Sequence, residues 1–262
     1  MLECVINVSE GRDESLVQRI AANEPSILDI HSDADHNRSV FTMIGIECPR
    51  AVARRAVESL DLSGHEGVHP RLGVVDVVPF VALASSTVDD ARRARDDFAR
   101  WAAEELAVPV FLYGLERTLP DVRRSAWHTL EPDIGPSRPH PTAGAMCVGT
   151  RPVLIAYNVF LADNDLVLAR DIAHRIRRPG LRTLAFVVDG TAQVSMNIVD
   201  ADGISISDVY DAVADEAKAL GTRALRAELV GLLLERHLRM NDQSRWAELD
   251  LGPDKTIESR LR

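Results

Sequence analysis

The hydrophobic period along the chain switches repeatedly between two, which marks strands, and 3.6, which marks helices. "ECVINV" (3–8), "SILDIH" (26–31) and "RSVFTMIGIE" (38–47) read as strands, with helices from Arg12 to Ala22 and from Pro49 to Leu60. Pro49 suits a first helical turn, where the N–H it lacks has no intrahelical partner. "GVVDVVPFVAL" (73–83) reads as a buried strand. The order to this point is β-α-β-β-α-β. A helix from Thr87 to Leu106 and the strand "VPVFLYG" (108–114) extend it. Within that helix Asp89 and Arg93, and Arg92 and Asp96, lie four apart, which assigns much of its charge to a solvated face.

Gly114 to His140 is broken by prolines and weakly periodic, and reads as a linker. The order then repeats. "PVLIAYNVFL" (152–161) is a strand, Asp163 to Arg177 a helix and "LRTLAFVVD" (181–189) a strand. Asp189-Gly190 fits a tight hairpin turn whose two central residues take positive φ. "AQVSMNIVD" (192–200) pairs back, Ser207 to Leu220 is a helix, and "TRALRAELVGLLL" (222–234) begins as the closing strand. Two such units predict an α/β (α+β) fold of two ferredoxin-like subdomains, residues 1–152 and 153–262, each with helices on one face of its sheet. The remaining sheet faces need cover, and each other is the obvious candidate. The tail after Asn241 is polar and reads as loosely packed.

Forty acidic against 30 basic residues give a net charge of −10, which argues against a nucleic-acid partner. A local group of arginines can still reverse the field inside a cleft, so an acidic small molecule remains open. Cys4, Cys48 and Cys147 have no metal or redox spacing, and an odd number suits a reducing compartment. The N-terminus lacks a basic-then-apolar leader and no apolar run reaches membrane-spanning length. A soluble cytoplasmic protein with no membrane partner is expected.

The candidate chemistry centres on "SGHEGVHPRLG" (63–73), in which His65 to His69 spells H-E-x-x-H, the helix-borne signature of zinc hydrolases. Only a helix sets both histidines on one face. Gly64 and Gly67 weaken a helix here, and Pro70 pushes His69 out of helical conformation. No metal is expected. A Gly-rich loop leading into a buried strand is instead a common mount for a catalytic histidine. Asp76 interrupts the apolar run Val74, Val75, Val77, Val78, so its carboxylate has to be paired or face a cleft. On the residues alone, a catalytic loop and a histidine packed on a turn stand level.

"ECVINVSEGR", "SDADHNRSVFTMIG", "GVHPRLGVVDVVPF", "ELAVPVFLYG", "PDIGPSRPHPTAG", "AQVSMNIVD" and "AELVGL", in this order, resemble the formiminotransferase family. The resemblance runs from Glu3 to about Leu232. It implies two α/β subdomains whose sheets face each other around a folate tunnel, usually in a homodimer. It also implies transfer of a formimino group from N-formimino-L-glutamate to N5 of tetrahydrofolate, a co-substrate, in histidine degradation.

The family's catalytic histidine falls on His69, which accepts the proton of N5 and gives one to the departing glutamate nitrogen. Asp76 is placed to orient or charge-balance that imidazole. The family's folate-contacting segment falls on 135–144. There Gly135, Pro136, Ser137, Pro141 and Gly144 match the pattern, and Arg138, Pro139, His140, Thr142 and Ala143 lie between them. Read without the resemblance, the same segment is a plain linker. Gln193, Ser195 and Asn197 alternate with apolar residues and share one strand face. Their groups suit a pterin edge, and equally a solvated sheet face. Asn37, Arg38 and Arg71 are candidates for the substrates' carboxylates, and "VSEGR" (8–12) offers a backbone turn for an anion.

Four features depart from the family pattern: Val68 in place of a Glu before the histidine, His31, a short 114–132 connection, and Arg226-Ala227. They motivate a second reading, a paralogue that binds folate or a small anion without transfer. A related formyl transfer is the nearer variant.

Overall fold

β1 (Leu2–Val8) is paired along both edges, and the first half of the chain is built outward from it. The computed structural model describes residues 1–261, which form two compact units, the first Met1–Pro152 and the second beginning at Val153. In the first unit β1 is followed by α1 (Glu14–Ala21), β2 (Ile27–Asp33), β3 (Arg38–Ile44), α2 (Cys48–Ser59), β4 (Val75–Ala82), α3 (Val88–Glu105), β5 (Val110–Tyr113), α4 (Leu119–Ser125) and β6 (Met146–Thr150). The sheet runs β2-β3-β1-β4-β6-β5. Its first four strands have the ferredoxin-like order and are antiparallel, as predicted, whereas β6 lies parallel to both β4 and β5.

Two features depart from the expectation. The linker contains α4, begun by a capping box in which the Thr118 hydroxyl accepts from the Asp121 N–H and Asp121 reaches back to the Thr118 N–H. β6 is an unanticipated strand. All five of its residues are buried, and a strand between parallel neighbours needs no polar alternation to announce it. Cys4, Ile6, Phe41, Met43, Val78 and Phe80 form the core of one sheet face with α1, α2 and α3. Val77, Phe111, Tyr113 and Cys147 on the other face pack with Val122 of α4 and with Ala126 at its C-terminal cap. Along α3, Asp89 pairs with Arg92 and Asp90 with Arg93, three apart where four was expected.

The second unit comprises β7 (Ile155–Leu161), α5 (Leu166–Ile176), β8 (Leu181–Val188), β9 (Thr191–Ile198), α6 (Ile206–Ala219) and β10 (Ala224–Val230), then the short α7 (Glu235–Leu238) and α8 (Ile257–Arg260). Its antiparallel sheet runs β10-β7-β9-β8, again the ferredoxin-like order. Asp189 and Gly190 take φ of 48° and 66°, the hairpin geometry predicted for them. Ala192, Val194, Met196 and Ile198 alternate onto the face that packs with α5 and α6. Among the described residues no helix is long and apolar enough to cross a membrane.

The tail is not loose. Leu249, Leu251 and Ile257 are buried, the Tyr157 hydroxyl donates to the Leu249 carbonyl (3.0 Å), and Leu233 exchanges backbone bonds with Lys255 and Ile257. These apolar residues follow no period, so only the fold shows that Leu249 and Leu251 join the second core and that Ile257 is buried. Leu249→Ala is expected to lower the unfolding free energy by about 2–5 kcal/mol in urea titrations; a loosely held tail would leave it unchanged.

Candidate active site

The connection from α2 to β4 begins with a single 3₁₀ turn, Leu62–Gly64, capped by the Asp61 carboxylate on the Ser63 N–H (2.8 Å). From His65 to His69 the chain is irregular, so the H-E-x-x-H letters do not lie on a helix. Among the described residues no group of three or more His, Cys, Asp or Glu is arranged to hold a metal ion. The loop is stitched to the 140–145 segment. The Leu62 N–H donates to Thr142, the Ala145 N–H to Leu72 and the Val74 N–H to Ala143, at 2.7–3.0 Å. Gly144 has φ +70°, and a Cβ there would stand 2.3 Å from the Leu72 carbonyl oxygen, so glycine is required for the approach. The fold thereby joins the predicted histidine loop to the C-terminal end of the predicted 135–144 segment. Gly135 to Pro139 of that segment are exposed, and the His140 Nδ1 accepts the Ala143 N–H at 3.0 Å.

Asp76 sits at a bulge. Asn7 faces Val77 but Val8 faces Val75, so Asp76 is the extra residue on β4. A bulge re-aims a side chain that strict alternation would fix. Asp76 is fully buried. Its Oδ2 accepts from Arg38 (2.7 Å) and Arg123 (2.5 Å), and its Oδ1 accepts the Leu72 N–H (2.8 Å). Burial alone would raise its pKa, but the two guanidinium charges outweigh that and hold the carboxyl at about 2. Two cations on one anion leave the group net positive.

His69 is partly buried, and its Nδ1 lies 2.8 Å from the Pro70 carbonyl oxygen. A carbonyl only accepts, so the proton is on Nδ1 and the basic lone pair is on Nε2. Burial, then the charges of Arg38 and Arg123, push its pKa down to about 3, so the ring is neutral at pH 7. The His36 ring packs edge-on against it, with centroids 6.0 Å apart.

Arg71 donates to the carbonyls of Gly67 (2.5 Å) and His69 (2.6 Å), and also contacts the His65 Nδ1, so its donors hold the loop's own backbone. His65 donates through Nε2 to the Asn37 carbonyl (3.0 Å). Asn37, at φ +47° and buried, accepts the Gly11 N–H (3.0 Å) and donates to the Glu66 carbonyl (2.9 Å). The structure thus places Asn37 and Arg71 as supports of the loop. The 8–12 turn does not present its backbone to an anion: the Glu10 carboxylate takes the Arg12 and Asp13 N–H groups, and Asn37 takes that of Gly11.

Arg123, on α4, is the residue that sequence reasoning missed. The pattern Thr118-Leu-Pro-Asp121 was a usable signal, since a capping box with proline in the first turn predicts a helix start. Gln193 and Asn197 belong to the second unit. Gln193 is fully buried, and neither its amide nitrogen nor its oxygen has a partner among the described residues. Beside it on the same sheet face, Asn158 donates to Glu228 (2.8 Å).

Two ferredoxin-like units, one mounting a neutral imidazole beside a net-positive ion cluster, define the class: an α/β enzyme with a histidine as candidate acid–base group. Residues 1–151 match the family model described as the formiminotransferase domain, N-terminal subdomain, and residues 156–243 match the formiminotransferase domain. The chain belongs to the formiminotransferase family, and is a transferase. It is 32% identical over 264 residues to the glutamate formimidoyltransferase of Streptococcus pyogenes serotype M1, covering 88% of each chain. To that of Thermoplasma acidophilum it is 33% identical over 275 residues, 91% of this chain and 89% of the relative. It also spans half of the formimidoyltransferase-cyclodeaminase of Sus scrofa, at 32% identity over 89% of this chain.

Removing the Asp76 charge leaves two partly buried guanidinium groups uncompensated. Asp76→Asn is therefore expected to destabilise the fold by about 3–5 kcal/mol in urea unfolding. The pH dependence has a definite sign. His69 binds a proton less readily folded than unfolded, so its contribution is complete above pH 6.5 and is lost as pH falls toward about 3. Stability should drop by up to about 1.4 kcal/mol per pH unit from this one group in that window. His65, also lowered, adds in the same direction. His69→Gln should flatten the slope between pH 6 and 4, and an unchanged slope would contradict the assignment.

Proposed function

We propose that this chain transfers a formimino group from N-formimino-L-glutamate to N5 of tetrahydrofolate, in histidine degradation; the name glutamate formimidoyltransferase, borne by its relatives, supports the transferred group. Tetrahydrofolate supplies the nucleophilic nitrogen. His69 takes the N5 proton on Nε2 while the bond from N5 to the amidine carbon forms, and returns it to the glutamate nitrogen as the old carbon–nitrogen bond breaks. One imidazole thus serves both halves, and protons balance.

The observation that carries the reading is the state of His69: neutral, with the lone pair on Nε2 and the proton secured on Nδ1. A second observation supports the donor. Arg38 and Arg123 exceed the charge of Asp76, which favours an acidic substrate in a chain whose overall charge is −10. A third supports the pterin. The orphaned Gln193 amide offers both a donor and an acceptor from a buried position, and such a group costs about 1–3 kcal/mol unless something pairs with it. The division at 152/153, a soluble homodimer and the 135–144 contact with folate belong to the same proposal.

Mixing N-formiminoglutamate with tetrahydrofolate and following 5-formiminotetrahydrofolate by absorbance tests it. His69→Ala is expected to lose roughly 10²–10⁴ in kcat, the span of general acid–base catalysis, with folate affinity retained. Gln193→Ala should instead weaken tetrahydrofolate binding by roughly tenfold, about 1.4 kcal/mol. A wild-type protein that binds folate but shows no turnover sinks the transfer reading and leaves the binding paralogue.

A further inference from the structure

The His69 Nδ1 proton is directed to the Pro70 carbonyl oxygen, and that oxygen is itself held. Arg123 Nη1 donates to the Pro70 carbonyl at 2.8 Å while its Nη2 donates to Asp76 at 2.5 Å. Asp76 is in turn fixed by Arg38 and the Leu72 N–H, and Arg38 Nε reaches Asn7 on β1 (3.1 Å). The peptide oxygen that receives the Nδ1 proton is therefore tied to helix, strand and sheet by charge-assisted bonds, the strongest kind available to it. Without Arg123 the Pro70 carbonyl would lose its charge-assisted donor. The imidazole would then be able to exchange its proton between the two nitrogens.

We infer that Arg123 is a positioning residue for the transfer reaction: by clamping the Pro70 carbonyl it keeps the His69 proton on Nδ1 and the lone pair on Nε2. The inference rests on the proposed role of His69, and adds to it a residue on a helix that touches no reacting atom. α4 earns its place in the fold by this link. Val122 on the helix and Ala126 at its C-terminal cap bury against Val77 and Phe111, which fixes the height at which Arg123 leaves the helix. Arginine suits the task because its planar fork serves two acceptors at once, the carbonyl and the carboxylate, where lysine presents a point charge.

The test reads the ring directly. In protein labelled with ¹⁵N-histidine, the Nδ1 and Nε2 shifts of His69 report the tautomer. Wild type should show the Nδ1–H form, and Arg123→Gln a mixture with substantial Nε2–H. The ring's titration midpoint should rise as well, since one of the cations facing it is gone. The other groups around it stay in place: Arg38 from β3, Asp76 from β4, His36 from the β2–β3 turn, and Arg71 and His65 from its own loop. In turnover, kcat should fall roughly tenfold or more, a fraction of what acid–base catalysis supplies, beyond any rise in KM that follows from the lost positive charge.

Arg123→Lys keeps the charge beside Asp76 but not the fork, and covers the case in which the glutamine variant does not fold. It should hold the midpoint low while still loosening the tautomer. Unchanged His69 shifts in the folded variants would overturn the inference, whatever the activity did. A tautomer that moves in a protein whose wild type transfers nothing would uphold the positioning role and reject only the transferase reading.

Discussion

A carboxylate with no access to water, set into the middle of a sheet, constrains everything around it in the first unit. Asp76 reaches its position because β4 carries one residue more than β1 needs, and it is tolerable there only because two guanidinium groups and a backbone N–H meet it. Those partners come from β3, from α4 and from the histidine loop, so the ion cluster ties three separately folded pieces to one point. Replacing such a cluster with apolar side chains is often neutral or stabilising. Its value here is better sought in what it specifies: where α4 docks, which way the loop turns, and that the surplus charge beside His69 is positive.

The loop itself is shaped by exclusion. Gly67 passes so close to the His36 carbonyl that a Cβ would stand 2.4 Å from its oxygen, and Gly73 and Gly144 pair across a bridge that admits no side chain on either. These contacts hold the two ends of the loop to the β2–β3 turn and to the approach of β6. Arg71 then fills the interior with bonds to the loop's own carbonyls. A histidine on such a loop has little freedom beyond rotation of its ring, and the Pro70 carbonyl and the His36 ring restrict that too. Catalysis by proton transfer depends on placing one lone pair to within a fraction of an ångström. The close packing gives a loop the rigidity usually found only on a strand.

Most of the secondary structure was legible because it was periodic. β1, β3 and β9 alternate, α3 and α6 bury one stripe, and Asp189-Gly190 could only be a tight turn. The failures were where period carries no information. β6 is five buried residues between parallel strands, so nothing alternates. α4 is two turns long, too short for a stripe, and its capping box was overlooked among prolines. Leu249 and Leu251 join the second core singly, and Ile257 is buried without a period to announce it. At the site, the apolar neighbours of Asp76 showed that it had to be paired, but not with what. Arg123 lies 47 residues away and becomes its partner only through the docking of α4. Asn37 and Arg71 carried the marks of ligand-binding residues, a polar turn and a loop arginine. Their side chains also bond the backbone of the loop that carries His69, which no spacing can express.

The low pKa of His69 bears on how such a site could act. A base held at about 3 is a weak acceptor at pH 7, and the ideal for proton transfer lies nearer the working pH. The cations responsible are the same ones that would attract an acidic substrate. An added negative charge about 4 Å from the ring would favour its protonated form by about 4 kcal/mol at the effective dielectric of a protein surface. That is about three pK units, enough to bring an imidazole from about 3 back toward its ordinary value. On the proposed reading, the glutamyl carboxylates would therefore do two things with one contact: neutralise the arginines and make His69 basic. By linkage the coupling is reciprocal, so protonation of His69 would tighten the grip on the acidic donor by the same factor. The site would then be a poor base when empty and a competent one only when the substrate's own charge is present, which confines proton transfer to the loaded state.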